Sequence, residues 1–447
     1  MAGGRKSRSA GPVPPSRTLV LDNGADTIKA GFVSDQNQKT DEPRLIPNCI
    51  ARDRHRKIYV GSELEKCKDF GEIALRRPVE KGFIVNWEAQ KEIWDREFFD
   101  DKAPQHCDPS DTRLVLTEQS NALPALQTHC DQIVFEEYGF ASYCRAIGPP
   151  LNAYRDVQGI FSTPRDPNTP IDIPAEVVLV IDCGYSYTTV TPVLRGRPLH
   201  PAIRRLDIGG KFLTNYLTRL LSVRHFDMRG DTYTVNEMKE QACYVSLDFP
   251  SDLDKTWKGT RGERRQPYLS GAGIAKDYVL PDGISRFKGV VRDYDPAAAS
   301  KARRLAGPSN EDVLTLRNER FVVPELLFNP SDIGIHQPGL ADLVMQSLHA
   351  LPIGLWPGLL ANIIVVGGSA SFDNFIQRLQ MELLERVPDD CIVRIARPAD
   401  VLTSTWQGAA EFAKHEHVER VAVTKQEYEE YGAVWVARRF AAGLGVD

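Results

Sequence analysis

No stretch of this 447-residue chain approaches the roughly 18–20 uninterrupted apolar residues that a membrane-spanning helix needs. The first residues, MAGGRKSRSAGPVPPSR, also lack the apolar centre of a secretory signal. Membrane insertion and secretion are both unexpected. The eight cysteines (Cys49, Cys67, Cys107, Cys130, Cys144, Cys183, Cys243 and Cys391) include no C-x-x-C pair and no zinc-like spacing to histidine, which points to reduced thiols in a cytosolic or nuclear protein. The nine histidines supply no paired ligand set: His415 and His417 are close in sequence, but nothing accompanies them. The lysine-bearing phosphate loop G-x-x-x-x-G-K, the G-x-S-x-G elbow and H-E-x-x-H are absent too, so P-loop, serine-hydrolase and zinc-protease chemistry have no support. A basic excess is missing as well. With 55 Lys+Arg against 60 Asp+Glu the net charge is -5, leaving no global field to hold nucleic acid, and any DNA contact has to be local or shared with a partner.

The 42% hydrophobic and 26% charged residues are globular in proportion, and the length predicts about two to four domains. Residues 1–17, with Arg5, Lys6, Arg8 and Arg17 and no acid, are expected to form a disordered basic tail. TLVLDNGADTIKAGFVS then predicts an apolar strand, a glycine turn and a second strand, a hairpin with an acid at its tip. The arrangement recurs: VVLVI (177–181) leads into DCGYSYTTV, and Asp182 stands 160 residues after Asp22. Two related α/β halves are expected. Between them, helical periodicity appears from Asn86 (Trp87, Ile93, Trp94, Phe98) and over Leu123, Leu126, Cys130, Ile133 and Val134, and the proline-rich stretch 155–175 predicts a loop. Farther on, Phe212, Leu213, Tyr216, Leu217, Leu220 and Leu221 make a wide apolar helical stripe opened by Gly209 and Gly210. Residues 251–310 carry 12 Lys+Arg and 7 Asp+Glu and predict a basic surface insert. NIIVVGGSASFDNFIQRLQMELLERV predicts a buried strand, a Gly-Gly turn and an amphipathic helix through Phe375, Ile376, Leu379, Leu383, Leu384 and Val387.

Three turns therefore follow apolar strands: Asp22-Asn23-Gly24, Asp182-Cys183-Gly184 and Gly367-Gly368-Ser369. Glycine lets backbone amides approach phosphate oxygens, and a carboxylate at a strand end can hold a Mg²⁺-bound water. Any one of them alone is an ordinary tight turn. Their common order suggests a phosphate or nucleoside site. Lys29 would reach a phosphate as a point charge; otherwise it is a solvated lysine. Lys239 and Glu240 lie on a predicted helix with Val235, Met238 and Ala242, where adjacent charges usually cover an exposed face.

At these residues the chain resembles the actin superfamily. LDNGADTIKAGF and IDCGYSYTTVTP resemble its two phosphate motifs and VVGGSASF its adenosine motif; KGFIVNWEAQKEIWD, LVLTEQSNALP, RLDIGGKFLTNYL, KEQACYVSLDF and VTKQEYEEYG resemble family segments in the same order, from about residue 18 to 440. The resemblance implies the actin fold, with its RNase H-like, Hsp70-actin ATPase core: two halves around a nucleotide cleft, in four subdomains. The first half would comprise 18–155 and 405–447, with a small subdomain at about 45–75, and the second 156–404. It implies ATP with Mg as a ligand, held by Asp22, Asn23, Gly24 and Lys29, by Asp182 and Gly184, and by Gly210, Lys239, Glu240, Gly367 and Gly368. No residue would bind the metal directly; Asp22 and Asp182 would act through bound water.

Departures from the family pattern imply a partly eroded site. Ala25-Asp26 replaces a serine-glycine and sets a carboxylate where phosphate oxygens would sit, a like charge that weakens binding. Tyr185-Ser186 replaces an aspartate-glycine, and Phe372 and Leu402 replace the adenine-side tyrosine and lysine. The glutamine that orients the attacking water in actin corresponds to Gly148, which implies little or no ATPase activity, because positioning is most of what a protein supplies to phosphoryl transfer. PNCIARDRHRKIYVG (47–61) is shorter than the segment by which filament subunits grip one another, so no homopolymer is expected.

FEEYGF, DCGYSYT, YVLPD and FNPSDIGI resemble most the nuclear branch of the family that serves SWR-type chromatin remodellers. That implies a non-catalytic structural subunit beside a remodeller motor, a zinc-finger HIT subunit and RuvB-like ATPases, nuclear with a cytoplasmic pool, with the basic insert available to nucleosomal DNA. The rivals are an actin-like ATPase, against which Gly148 speaks; a cytoskeletal filament, against which the short 47–61 segment speaks; and a sugar kinase, in which VTKQEYEEYG has no place.

Overall fold

In the computed structural model, which describes residues 15–33, 42–103, 105–161, 176–256, 273–282, 286–295 and 311–441, each of the two aspartate-tipped strands lies at the heart of its own sheet. Arg17–Asn23 pairs antiparallel with Thr27–Val33, setting Asp22 opposite Lys29, and parallel with Thr112–Glu118, which pairs in turn with Ser142–Ile147. Arg44–Pro47 and Val423–Thr424 close the two edges. Side chains of a strand alternate between faces, and the packing follows: Leu19 and Leu21 meet Ile93, Trp94, Phe98 and Phe135 on one face, while Val20 meets Val115, Cys144 and Trp406 on the other. A strand covered on both faces has to be apolar throughout, which is why TLVL reads as an unbroken run.

The second sheet repeats the plan. Val177–Cys183 pairs antiparallel with Thr188–Leu194 and parallel with Ile363–Val366, beyond which lies Ile395–Ala396. Leu179 and Ile181 face a core containing Leu213, Leu217, Val235 and Leu379, and Val178 and Val180 face Ala153, Val193 and Ile364. The chain belongs to an α/β fold of two such halves.

Arg17 is the first residue of the first strand rather than part of the tail, while 1–14 lie outside the described residues. The small sheet of Ile50–Arg52, Ile58–Val60 and Ala74–Arg76 starts later than 45, because Arg44–Pro47 is committed to the first large sheet. The expected surface insert at 251–310 is in part core. Lys276–Val279 is the middle strand of a sheet with Val290–Asp293 and Val313–Leu316, and Tyr278 is fully buried among the apolar residues of the second half. The charge count concealed this, because the basic residues surround a four-residue strand. The rest of the insert, at 257–272, 283–285 and 296–310, lies outside the described residues, as does 162–175 of the proline-rich loop.

The helices follow their signals. Trp87–Trp94 starts where the Asn86 side chain accepts the amide of Ala89 at 3.1 Å, and Pro124–Gln132 opens on proline, which has no amide to leave unsatisfied. In Phe375–Leu384, Phe375, Leu379 and Leu383 are buried, Ile376 packs against the same core and Val387, past the helix end, is buried with them; Leu384 alone of the expected stripe is exposed. No helix among the described residues is long and apolar enough to cross a membrane, and the eight cysteines are free thiols, all buried except Cys391.

The chain passes between the halves twice. It leaves the first sheet after Ile147 through the short helix Gly148–Leu151 and returns after Ala396 through Ser404–Lys414. Both passages run through one place. Buried Asn152 donates to Thr405 Oγ1 at 3.2 Å and accepts from Ser404 Oγ at 2.6 Å, and a Cβ on Gly408 would stand 2.2 Å from the Leu151 carbonyl oxygen.

Candidate nucleotide cleft

The three glycine turns converge on a cavity of about 610 Å³ between the halves, and all eleven residues singled out above line it: Asp22, Asn23, Gly24, Lys29, Asp182, Gly184, Gly210, Lys239, Glu240, Gly367 and Gly368. In the first turn, Asp22 accepts from Thr117 Oγ1 at 2.7 Å, and its other oxygen lies 3.6 Å from Lys29 Nζ. Lys29 is thus a paired, mostly buried lysine and not a solvated one. Asn23 is locked between Gln90, to which it donates at 3.0 Å, and the Trp94 indole N–H, from which it accepts at 3.2 Å. At Gly24 a Cβ would stand 2.6 Å from the Thr27 carbonyl oxygen, so the turn can be this tight only with glycine.

In the second turn the Gly184 amide donates to the Tyr187 carbonyl at 3.1 Å, and the Gly210 amide donates to the Gly184 carbonyl at 3.0 Å, which fixes the start of helix Gly210–Arg224 against the turn. Gly367 adopts φ 89°, and a Cβ there would meet the Cys183 carbonyl oxygen at 2.5 Å and Asp182 Oδ1 at 2.8 Å. The third turn is pressed onto the second. Burial and the Asp22 charge push the Asp182 carboxyl up to about 6, and Lys29 opposes them.

Lys239 departs furthest from its sequence reading. It covers no exposed face: its ammonium is buried and donates to the Gly210 carbonyl at 3.2 Å, Thr214 Oγ1 at 3.0 Å and Asn236 Oδ1 at 2.8 Å. Burial lowers its pKa. Glu240, beside it, is exposed and accepts from Asn236 at 2.7 Å.

The substituted positions line the same cavity: Ala25, Asp26, Gly148, Tyr185, Ser186, Phe372 and Leu402. Asp26 does not bring a bare negative charge. Its carboxylate is 2.7 Å from Arg77 Nη2, so the expected repulsion of phosphate is largely neutralised within the protein. Two carboxylates, Asp22 and Asp182, remain near a single Lys29, and that excess of negative charge suits a hydrated divalent cation. Among the described residues no group of three or more His, Cys, Asp or Glu is placed to hold a metal directly.

Arg77, Arg145 and Gln119 also belong to this region. Nothing in the adjacent pair Arg76-Arg77 distinguishes the second from the first, which pairs with Glu88 on the surface. Arg145, on the cavity wall, had a usable signal: a charged residue inside the strand YCRAI must be paired if that strand is buried. It lies 2.7 Å from Asp131 and 3.4 Å from Glu118, and burial pushes the Asp131 carboxyl up to about 7. Gln119 also lines the cavity, and neither of its buried amide atoms has a hydrogen-bond partner.

Two half-sheets, each tipped by an aspartate-glycine turn and closing on a common cleft, define the actin fold, and the actin family model matches residues 13–441; the chain belongs to the actin family. Within it, the chain is 75% identical to Actin-related protein 6 of Neurospora crassa, over 100% of this chain and 99% of that protein. It is 48% identical to the Actin-like protein arp6 of Aspergillus fumigatus, covering 96% of each, and 35% identical to Actin-related protein 6 of Drosophila melanogaster, over 94% of this chain and 99% of that one.

Proposed function

We propose that this protein is a non-catalytic structural subunit of a SWR-type chromatin remodelling complex, which exchanges nucleosomal histone dimers for a variant-histone form while a separate motor subunit hydrolyses ATP. The carrying observation is full-length similarity to actin-related protein 6 combined with glycine at position 148 of the cavity wall. A glycine has nothing with which to orient an attacking water. ATP with Mg is a structural ligand in this reading, held by the three turns, Asp22 and Asp182.

The partners are the remodeller motor, a zinc-finger HIT subunit and the RuvB-like ATPases. The setting is nuclear with a cytoplasmic pool, and the basic insert at 251–310 is the segment through which nucleosomal DNA would be contacted. Self-polymerisation has no handle at 47–61. There the strands Ile50–Arg52 and Ile58–Val60 are joined by only the five residues 53–57, whose Asp53 accepts the Lys57 amide at 2.9 Å.

Affinity purification of the tagged protein from nuclear extract, with stoichiometric partners identified by mass spectrometry, tests the reading. Recovery of a remodeller motor, RuvB-like ATPases and a zinc-HIT protein is expected. Recovery of the chain alone or with cytoskeletal factors overturns it, and steady ATP turnover abolished by Asp182→Ala overturns the non-catalytic part.

A further inference from the structure

We propose that this cleft is held shut by the protein's own side chains: a bridge from Asp26 through Arg77 to Tyr185, seconded by the Phe70–Tyr233 stack, ties the two halves together whether or not a nucleotide is present. Arg77 Nη2 lies 2.7 Å from the Asp26 carboxylate, and Nη1 donates to the Asp26 carbonyl at 3.1 Å and to the Ala25 carbonyl at 3.4 Å. The same guanidinium sits 4.9 Å from the centre of the Tyr185 ring. One planar cation thus grips the first phosphate turn through its fork and lies over the Tyr185 ring of the second, both of which suit arginine. Tyr185 in turn rests on the start of helix Gly210–Arg224, where a Cβ on Gly210 would stand 3.3 Å from its ring.

Above this bridge the small sheet meets the second half. Phe70 stacks on Tyr233 at 4.0 Å with the rings 8° from parallel, and the Glu72 amide donates to Asp231 at 3.3 Å. Beside it, Lys211 pairs with Glu80 at 2.7 Å and Arg205 donates to the Lys81 carbonyl at 3.4 Å. Joining two phosphate turns across a cleft is ordinarily work for a polyphosphate and its cation. Here a side chain already joins them, and Ala25, Asp26 and Tyr185 still face the cavity, so the bridge roofs the site without filling it. The closed cleft becomes a property of the chain, and a nucleotide has to wait for the roof to open before it enters or leaves.

Hydrogen exchange on the full-length protein, freed of nucleotide with EDTA and apyrase, tests this without any remodelling partner, so its outcome is separate from that of the functional reading. Segments 24–28, 70–77, 185–187 and 231–235 are expected to be protected without nucleotide and to change little when Mg·ATP is added. Arg77→Ala should raise exchange there by roughly ten- to a hundred-fold, the loss of one charge-assisted contact between partly buried groups, and leave 177–183 unchanged. Phe70→Leu should loosen 70–77 and 231–235. The swap Asp26→Arg with Arg77→Asp should recover part of the protection and guards against a misfolded single variant. The proposal is overturned if these segments exchange freely in the nucleotide-free protein and become protected only with Mg·ATP, or if Arg77→Ala exchanges as the wild type does.

Discussion

The buried ammonium of Lys239 donates to the carbonyl oxygen of Gly210 across 3.2 Å, although the two stand 29 positions apart. Gly210 opens one helix and Lys239 lies near the end of the next, so the contact pins both beside the cavity. Thr214 and Asn236 complete its three hydrogen bonds.

Lys239→Met keeps the length of the side chain and removes all three bonds. A loss of about 1–3 kcal/mol of stability is expected, because partners inside the protein lose their donor and gain no water in exchange. Urea unfolding measures it; an unchanged midpoint would mean that solvent already reaches these groups.

Asp182 makes stability depend on pH. Its folded carboxyl is near 6 and its unfolded one near 3.8, so the native state holds the proton more tightly. The resulting cost is absent below about pH 4, grows as pH rises, and is complete above about pH 6. Asp182→Asn should therefore stabilise the nucleotide-free protein at pH 7.5 by about 1–2 kcal/mol, allowing for screening by water in the cavity. The gain should shrink at pH 4.5. Paired denaturant melts at the two pH values decide it, and equal gains at both would exclude titration of this group as the cause.

Arg145 pairs with both Asp131 and Glu118 inside the first half. Arg145→Met should cost about 3–5 kcal/mol at pH 8, since a buried carboxylate is left without its cation. The cost should be smaller at pH 5.5, where Asp131, already pushed up to about 7, takes up a proton. A pH-independent loss would point to packing against Phe440, 4.8 Å from the guanidinium, as the main contribution.

Gly148 has room for a side chain: an added Cβ meets nothing nearer than Thr405 Cγ2 at 3.4 Å. Gly148→Gln should melt within about 2 °C of the wild type. If positioning of water is the missing element, phosphate release from Mg·ATP should rise about tenfold or more over the wild-type baseline. A flat baseline in a variant shown to bind Mg·ATP would place the defect elsewhere in the cleft.

The parts of this fold that were legible in the sequence are those where one residue type answers to local geometry. The runs TLVL and VVLVI announce strands covered on both faces, and Asp-x-Gly announces the turns after them. What stayed hidden depends on distant partners. Lys239 reads as a surface lysine until Gly210 and Thr214 are brought over it, and Asp26 reads as an obstacle to phosphate until Arg77, 51 positions away, is folded against it. The strand Lys276–Val279 was obscured by composition, because four residues inside a basic segment carry too little periodicity to be seen.

The two chain passages tied together at Asn152, Ser404 and Thr405 act as an axle. With both crossings fixed at one point, sliding of one half past the other is blocked and rotation about that point is the cheap motion. A small turn there is magnified with distance, as at the end of an oar. Phe70 and Tyr233 meet across the cleft, so a ligand or partner that turns one half about the axle has to work against their stack.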